Sequence, residues 1–154
     1  MKKLAFIILL LITKTVGFSQ VSLEEKKVVR ACLNYLEGFY EGDTAKLEQS
    51  LQPNLYKFGF MKNRDDKDYR QVPNMTYEAA LDFAKNVKEK KNFAKADAPK
   101  IVEVLDIANT IAATKVTAWW GIDYVLLSKK DTVWMIEQVL WEGPLQKNHI
   151  TQEQ

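Results

Sequence analysis

The chain has 154 residues, a formal net charge of +2 and 27% charged residues, which is typical of a single globular domain. It contains one cysteine and one histidine, so an internal disulfide is excluded and a zinc site of Cys and His ligands is not expected. The sequence also has no glycine-rich phosphate loop and no credible set of nucleophile, histidine and acid. We therefore predict neither a metal nor a cofactor.

The first 19 residues have the features of a secretory signal peptide. Two lysines precede an apolar run over residues 4–12, and small residues occupy the minus-three and minus-one positions before Gln20. The run is shorter than the about 20 residues that span a membrane. We predict an exported protein, periplasmic or secreted, with no membrane span after cleavage. Removal of three lysines with this segment lowers the formal charge from +2 to −1, so nucleic-acid binding is not predicted.

Helix signals dominate the first half of the mature chain. Ser22 and Glu25 have the spacing of a capping box, and apolar residues then recur at three- and four-residue steps until Gly42. A second, short helix carries Leu47 and Leu51 and ends at Pro53. The three predicted helices span about 23–41, 44–52 and 77–88. The charged segment 88–100 that follows is predicted to be a solvated surface connection.

Strand signals appear before and after the third helix. In the aromatic segment 55–61, alternation places Tyr56 on one face and Lys57 on the other. The pattern Trp120-Gly121 is compatible with a tight hairpin or with a bulge in one long strand, so five or six strands are predicted. The remaining predicted strands span about 69–72, 101–107, 110–119, 122–127 and 132–141.

The last predicted strand is apolar on both faces. Strict alternation places Trp134, Ile136 and Leu140 on one face. It places Val133, Met135, Val139 and Trp141 on the other face. A sheet with one solvated face alternates more cleanly than this. We therefore predict that one face covers the helices and a cavity, and that the other face meets a second subunit in a homodimer.

Several segments resemble those of the putative lumazine-binding family, within the nuclear transport factor 2-like superfamily of α+β cones. The segments are YLEGFYEGD at 35–43, LQPNL at 51–55, WGIDY at 120–124, WMI at 134–136 and LW at 140–141. The resemblance implies three helices packed on a curved antiparallel sheet, with an apolar pocket at the open end of the cone. It covers residues 20–145, leaving 146–154 as a flexible polar tail. Members commonly carry a histidine where this chain has Gln52, which does not titrate near neutral pH.

Candidate site residues follow from this pocket. Asp123 lies among apolar strand residues and is a candidate general base, because ketosteroid isomerases in the same superfamily use an aspartate in this way. Parity places it on the face of Val125, opposite Ile122 and Tyr124. The alternative is a carboxylate that only accepts a structural hydrogen bond. Candidate ligand-binding residues are Tyr35, Tyr40, Gln52, Tyr56, Trp119, Trp134 and Trp141, although buried tyrosines and tryptophans also fill cores and interfaces.

Three functions remain open on the sequence alone. The first is an exported protein that binds a small apolar or aromatic molecule, and the second is an isomerase or cyclase with Asp123 as base. The third is a dimeric scaffold whose core is filled by its own side chains. An open cavity lined by Asp123 and a tyrosine hydroxyl favours the enzyme, an open cavity without that pair favours the binding protein, and a closed core favours the scaffold.

Overall fold

The computed structural model describes residues 22–149, except for the side chain of Asn148. The predicted signal peptide, residues 1–19, lies outside the described residues, as does the end of the predicted polar tail, residues 150–154. Of that tail, Lys147–His149 forms a short 3-10 turn. No helix within residues 22–149 is long and apolar enough to cross a membrane.

Three α-helices form where the capping signals predict them. They are α1 (Leu23–Glu41), α2 (Thr44–Ser50) and α3 (Tyr77–Glu89). The Ser22 hydroxyl accepts a hydrogen bond from the backbone N–H of Glu25 at 3.0 Å, and Gly42 ends α1 in the left-handed conformation with φ 67°. The predicted end of α2 at Pro53 is wrong. Helix α2 ends at Ser50, because Leu51 is already extended and begins the strand that follows.

Six strands form one mixed sheet. They are β1 (Leu51–Met61), β2 (Arg70–Met75), β3 (Ile101–Ile107), β4 (Ile111–Ala118), β5 (Gly121–Lys130) and β6 (Val133–Gly143). Their order across the sheet is β2-β1-β6-β5-β4-β3. The α+β class is confirmed, whereas the purely antiparallel sheet is wrong because β1 pairs with β6 in parallel. Helices α1 and α2 precede the sheet in the chain, and α3 lies in the long connection between β2 and β3. All three cover one face of this curved sheet.

The segment around Trp120-Gly121 is a tight hairpin rather than a bulge. Ala118 pairs with Gly121, so Trp119 and Trp120 form the two-residue tip between β4 and β5. Gly121 has φ 155°, and a Cβ placed on it would lie 1.8 Å from the carbonyl oxygen of Glu142. This close approach to β6 requires glycine. Both tryptophans are thereby held at one end of the sheet.

A bulge in β6 changes the predicted alternation. Leu126 of β5 pairs with Gln138 and Leu127 pairs with Ile136, which leaves Glu137 as the extra residue. After this point the side chains change face, so Trp134, Ile136 and Val139 are all buried while Leu140 is exposed. The prediction that Leu140 shares a face with Trp134 and Ile136 is therefore wrong. Strict alternation fails because one inserted residue reverses the parity of every residue after it.

Glu24 connects the first turn of α1 to the β5–β6 hairpin. Its carboxylate accepts hydrogen bonds from Trp134 Nε1 at 2.8 Å and from Lys27 Nζ at 3.0 Å, and it pairs with Lys129 Nζ at 2.7 Å. The hydrogen bond from Lys129, followed by those from Trp134 and Lys27, lowers the pKa of Glu24 to about 2. A depressed carboxyl pKa stabilises the fold above the unfolded-state pKa, and this contribution is lost as the pH falls through the folded-state pKa.

We predict that Glu24→Gln lowers the melting temperature at neutral pH, because Lys129 loses its charged partner. The deficit relative to wild type should shrink between about pH 4.5 and about pH 2, as the wild-type carboxylate becomes protonated. Thermal unfolding over this pH range at low salt measures the effect, and Glu89→Gln on the exposed end of α3 is the matched control. A deficit that stays constant down to about pH 2 would contradict the assignment.

Candidate functional site

A lysine and an aspartate form a buried ion pair in the interior. Lys57 of β1 is 6% exposed and Asp123 of β5 is 0% exposed, with 3.6 Å between Lys57 Nζ and Asp123 Oδ2. Tyr35 of α1 joins them, because its hydroxyl donates to Asp123 Oδ2 and accepts from Lys57 Nζ at 2.7 Å. Trp120 Nε1 donates to the other carboxylate oxygen, Oδ1, at 2.8 Å. We call Tyr35, Lys57, Trp120 and Asp123 the buried polar cluster.

Burial sets the electrostatics of this cluster. It lowers the pKa of Lys57, since the ammonium is removed from water, while the negative charge of Asp123 opposes that shift. Burial also raises the pKa of Tyr35 well above its ordinary value, and the neighbouring charge of Asp123 adds to the effect. Tyr35 therefore stays a neutral hydroxyl at physiological pH. It relays one hydrogen bond from the lysine to the carboxylate.

Aromatic rings surround the ammonium group of Lys57. Its Nζ lies 5.3 Å from the ring centroid of Tyr35, 5.4 Å from that of Trp141 and 5.7 Å from that of Trp120. Ring faces attract a cation at these distances, most strongly where water is excluded. The three rings therefore help to offset the cost of burying a positive charge.

An apolar cavity of about 220 Å³ lies against the side chain of Lys57. Among the described residues, Lys57 is the one charged residue of its lining, which otherwise consists of aromatic side chains and two methionines: Phe39, Met61, Met75, Phe83, Trp119, Trp120 and Trp141. The exposed lining is almost wholly apolar, so Lys57 contributes its methylene groups rather than its ammonium, and apolar aromatic walls of this kind are typical of small-molecule sites. The cavity is built from α1, α3, three strands and the tip of the β4–β5 hairpin.

A second cavity of about 570 Å³ adjoins the first, and the two share Phe39, Phe83, Trp119 and Trp120. Its far wall is formed largely by residues 92–99, the segment predicted to be only a surface connection. That segment is mostly exposed, but the backbone N–H of Ala94 donates to the Tyr40 carbonyl at 3.1 Å. The surface assignment is thus incomplete, because this connection also encloses a cavity.

Four of the predicted site residues lie in or directly behind the cavities. Trp119 and Trp141 line the smaller one, and Trp119 is 54% exposed at the hairpin tip. Tyr35 and Asp123 lie behind its wall, and neither lines the two cavities among the residues that the structure describes. Asp123 is buried on the face of Val125, the face on which parity places it. Both of its oxygens accept hydrogen bonds from other members of the cluster.

Tyr40 lies at the edge of the same region. Its hydroxyl donates to the carbonyl of Pro99 at 2.5 Å and accepts from the backbone N–H of Trp119 at 3.0 Å. Burial raises the pKa of Tyr40 to about 12, so it also remains neutral. Tyr40 therefore fixes the hairpin tip and the 92–99 segment relative to the end of α1.

The other three predicted ligand-binding residues lie away from the two cavities. Tyr56 is 46% exposed and its ring lies 5.2 Å from that of Phe58 on the outer face of the sheet. Gln52 is half-buried at the beginning of β1. Trp134 is buried, and its ring N–H is bonded to Glu24 at the opposite end of the sheet from the hairpin tip. The structure thus separates these residues from Trp119 and Trp141.

Sequence reasoning did not select Lys57, Trp120, Phe39 or Phe83 as site residues. A signal for Lys57 was present, since alternation places it on the face of Leu55 and Gly59, and a lysine at an inward position requires a partner. Its partner Asp123 is 66 positions away, and a distant pairing of this kind is not visible in local pattern. Within residues 22–149, no group of three or more His, Cys, Asp and Glu residues is close enough to hold a metal ion.

The family model described as putative lumazine-binding matches residues 24–142 of the chain. The chain belongs to this family. The matched region begins in α1 and ends in β6, so it contains the whole buried polar cluster, the smaller cavity and the lining of the larger cavity except Leu145. None of the curated proteins matches the chain.

Solved structures confirm the nuclear transport factor 2-like fold. A nuclear transport factor 2-like protein from Shewanella baltica is 18% identical, with a TM-score of 0.61 over 77% of this chain and 91% of that one. A ketosteroid isomerase-like protein from Erwinia carotovora atroseptica is 15% identical, with a TM-score of 0.54 over 80% of this chain and 99% of that one. A third, from Silicibacter pomeroyi, is 13% identical, with a TM-score of 0.55 over 75% and 92%. At these identities the likeness concerns the fold alone.

We predict that Lys57→Met destabilises the protein by about 3–5 kcal/mol, because it leaves the charge of Asp123 buried without its partner. Adding Asp123→Asn removes that charge, so the double variant should recover much of the loss. Urea unfolding monitored by circular dichroism measures both effects. Lys62→Met, just beyond the end of β1, is the control and should change stability by no more than about 0.5 kcal/mol. A Lys57→Met variant as stable as wild type would refute the ion pair.

Proposed function

We propose that this protein is an exported small-molecule-binding protein whose ligand occupies the apolar cavity beside Lys57. The observation that carries the proposal is an open, aromatic-lined apolar cavity whose wall lies against the buried polar cluster. Burying a charge is costly, and the rings, the tyrosine and the aspartate around Lys57 all offset that cost. Trp120 belongs both to this cluster and to the cavity lining, so the cluster fixes the wall that the ligand contacts.

The walls favour a flat, mainly apolar molecule. Trp119 is largely exposed at the mouth, and its ring lies 5.7 Å from that of Trp120, so an entering ring meets aromatic surface first. Offset or edge-to-face contacts between such rings add to the free energy of apolar burial. The family's description refers to lumazine, a two-ring heterocycle, and this supports a planar heterocyclic ligand. The adjoining cavity provides space for a substituent on the ring.

An isomerase or cyclase with Asp123 as general base is the alternative. The ketosteroid isomerase-like neighbour supports it at the level of fold. A general base must come within hydrogen-bond distance of the proton that it removes. Tyr35, Lys57 and Trp120 stand around the carboxylate of Asp123, and their donors already engage its oxygens. The geometry therefore favours binding, and the two open cavities speak against a scaffold with a filled core.

Export remains part of the proposal on the strength of the signal-peptide pattern in residues 1–19. We further propose a homodimer through the outer face of the sheet. Tyr124 and Leu140 are directly paired across β5 and β6, and both are more than 40% exposed, as is Leu126 beside them. A contiguous exposed apolar patch of this kind is typical of a protein interface.

Native mass spectrometry of the protein purified from its host's cell envelope tests the ligand and the export proposals together. We expect a co-purifying small molecule, and we expect the polypeptide to have the mass of a chain that begins at Gln20. Trp119→Ala removes ring surface from both cavities and should reduce ligand retention about tenfold, whereas Tyr56→Ala, an exposed ring outside the cavities, should not. Equal retention by the two variants would refute this cavity as the site, and an uncleaved mass would refute export.

Sedimentation at micromolar concentration tests the dimer. Tyr124→Lys and Leu140→Lys each place a charge on the proposed interface and should shift the protein to a monomer. Tyr69→Lys, on an exposed position before β2, is the control and should sediment as wild type does. A wild-type monomer under these conditions would count against the proposed homodimer.

A further inference from the structure

We infer that the surface around the larger cavity docks on an anionic lipid membrane. This surface consists of three exposed aromatic residues, Phe83, Phe93 and Trp119, and of the lysine-rich segment 88–100, and we call it the cavity rim. Two observations carry the inference, namely the exposure of three aromatic rings around one opening and the positive charge beside them. The inference does not depend on which molecule the cavities bind.

The aromatic rings of the cavity rim come from three separate elements. Phe83 lies on α3, Phe93 lies in the connection that follows it, and Trp119 lies at the tip of the β4–β5 hairpin. They are 44%, 52% and 54% exposed, and all three line the larger cavity. Single exposed apolar residues are common on protein surfaces, whereas a group of them around one opening marks an interaction site. Tryptophan and phenylalanine are also the residues that peripheral proteins insert at the boundary between lipid headgroups and acyl chains.

The segment 88–100 gives the cavity rim a positive charge. It contains five lysines against Glu89 and Asp97, a formal net charge of +3, although the predicted mature chain as a whole has −1. Within residues 22–149, none of these five lysines forms an ion pair with a carboxylate. Clusters of lysine on a protein surface are attracted to the negative potential of anionic lipids.

The lysines and the rings lie on the same side of the molecule. Lys95 lines the larger cavity together with Phe93. Helical spacing places Phe83, Val87 and Lys90 on one side of α3, and Val87 lines that cavity as well. One flat surface can therefore meet the rings and the charges at once.

This combination favours a membrane over a free anion. A free anion would need the positive charge, but it would leave the exposed rings without a partner. A membrane takes the rings into its interfacial region and places anionic headgroups next to the lysines. The Tyr40 hydroxyl connects the carbonyl of Pro99 to the backbone N–H of Trp119, so the lysine-rich segment and the hairpin tip are held together as one surface.

Flotation with lipid vesicles at low salt tests the docking surface. The vesicles contain either equal parts of phosphatidylglycerol and phosphatidylcholine or phosphatidylcholine alone. We expect the protein to bind the anionic vesicles about tenfold more tightly than the neutral ones, and we expect added salt to weaken this binding. The double variant Lys90→Gln with Lys95→Gln should lose about 25-fold in affinity for the anionic vesicles, or about fivefold for each lysine. Phe93→Ser should lose about fivefold, because half of its ring surface no longer enters the interface.

Matched controls change the opposite end of the molecule. Lys26→Gln with Lys130→Gln removes the same charge from exposed positions, and Val133→Ser removes an apolar side chain that is also 52% exposed. Both controls should bind as wild type does. Equal binding to the two kinds of vesicle, no binding to either, or equal losses in variants and controls would overturn the inference. Loss of a wild-type dimer in Phe93→Ser without vesicles would also overturn it, because the cavity rim would then belong to an interface with a second copy of the chain.

Discussion

The ion pair between Lys57 and Asp123 is the constraint on which the interior depends. Strand β6 lies between β1 and β5, so the pair spans a strand on the inner face of the sheet. Tyr35 closes the pair from α1. Charges in this position are tolerated only when helix, sheet order and register together supply partners, because a buried unpaired charge costs several kcal/mol. The packing of α1 on the sheet and the burial of Lys57 therefore depend on each other.

The wall of the cavity is attached to the same network. Trp120 donates its ring N–H to Asp123, while the neighbouring Trp119 donates its backbone N–H to Tyr40, whose hydroxyl also holds Pro99. The hairpin tip is thus fixed from two sides before any ligand arrives. A site whose walls are held by packing and hydrogen bonds loses less conformational entropy on binding than one built on loose loops. This preorganisation is expected of a binding protein and does not by itself require catalysis.

Local signals predicted local structure well. The serine cap of α1 and the glycine at its end act within one helical turn, and their effects were visible in sequence. The parallel pairing of β1 with β6 and the bulge at Glu137 arise from tertiary contacts, which no local pattern encodes. The same limit explains Lys57. Alternation in the sequence places Lys57 on the same face as Leu55 and Gly59. A lysine is normally solvated, however, and only the fold brings Asp123 close to it.

The geometry also changes the chemical interpretation of Asp123. A carboxylate in an apolar cone suggests a base only when one of its oxygens can reach a substrate. Here both carboxylate oxygens accept hydrogen bonds within the buried polar cluster, and the negative charge of Asp123 favours the charged form of Lys57. The surface turned towards the cavity is therefore aromatic and apolar, and the carboxylate lies behind it. An aromatic, apolar cavity with the carboxylate of Asp123 outside its lining supports the proposed binding function.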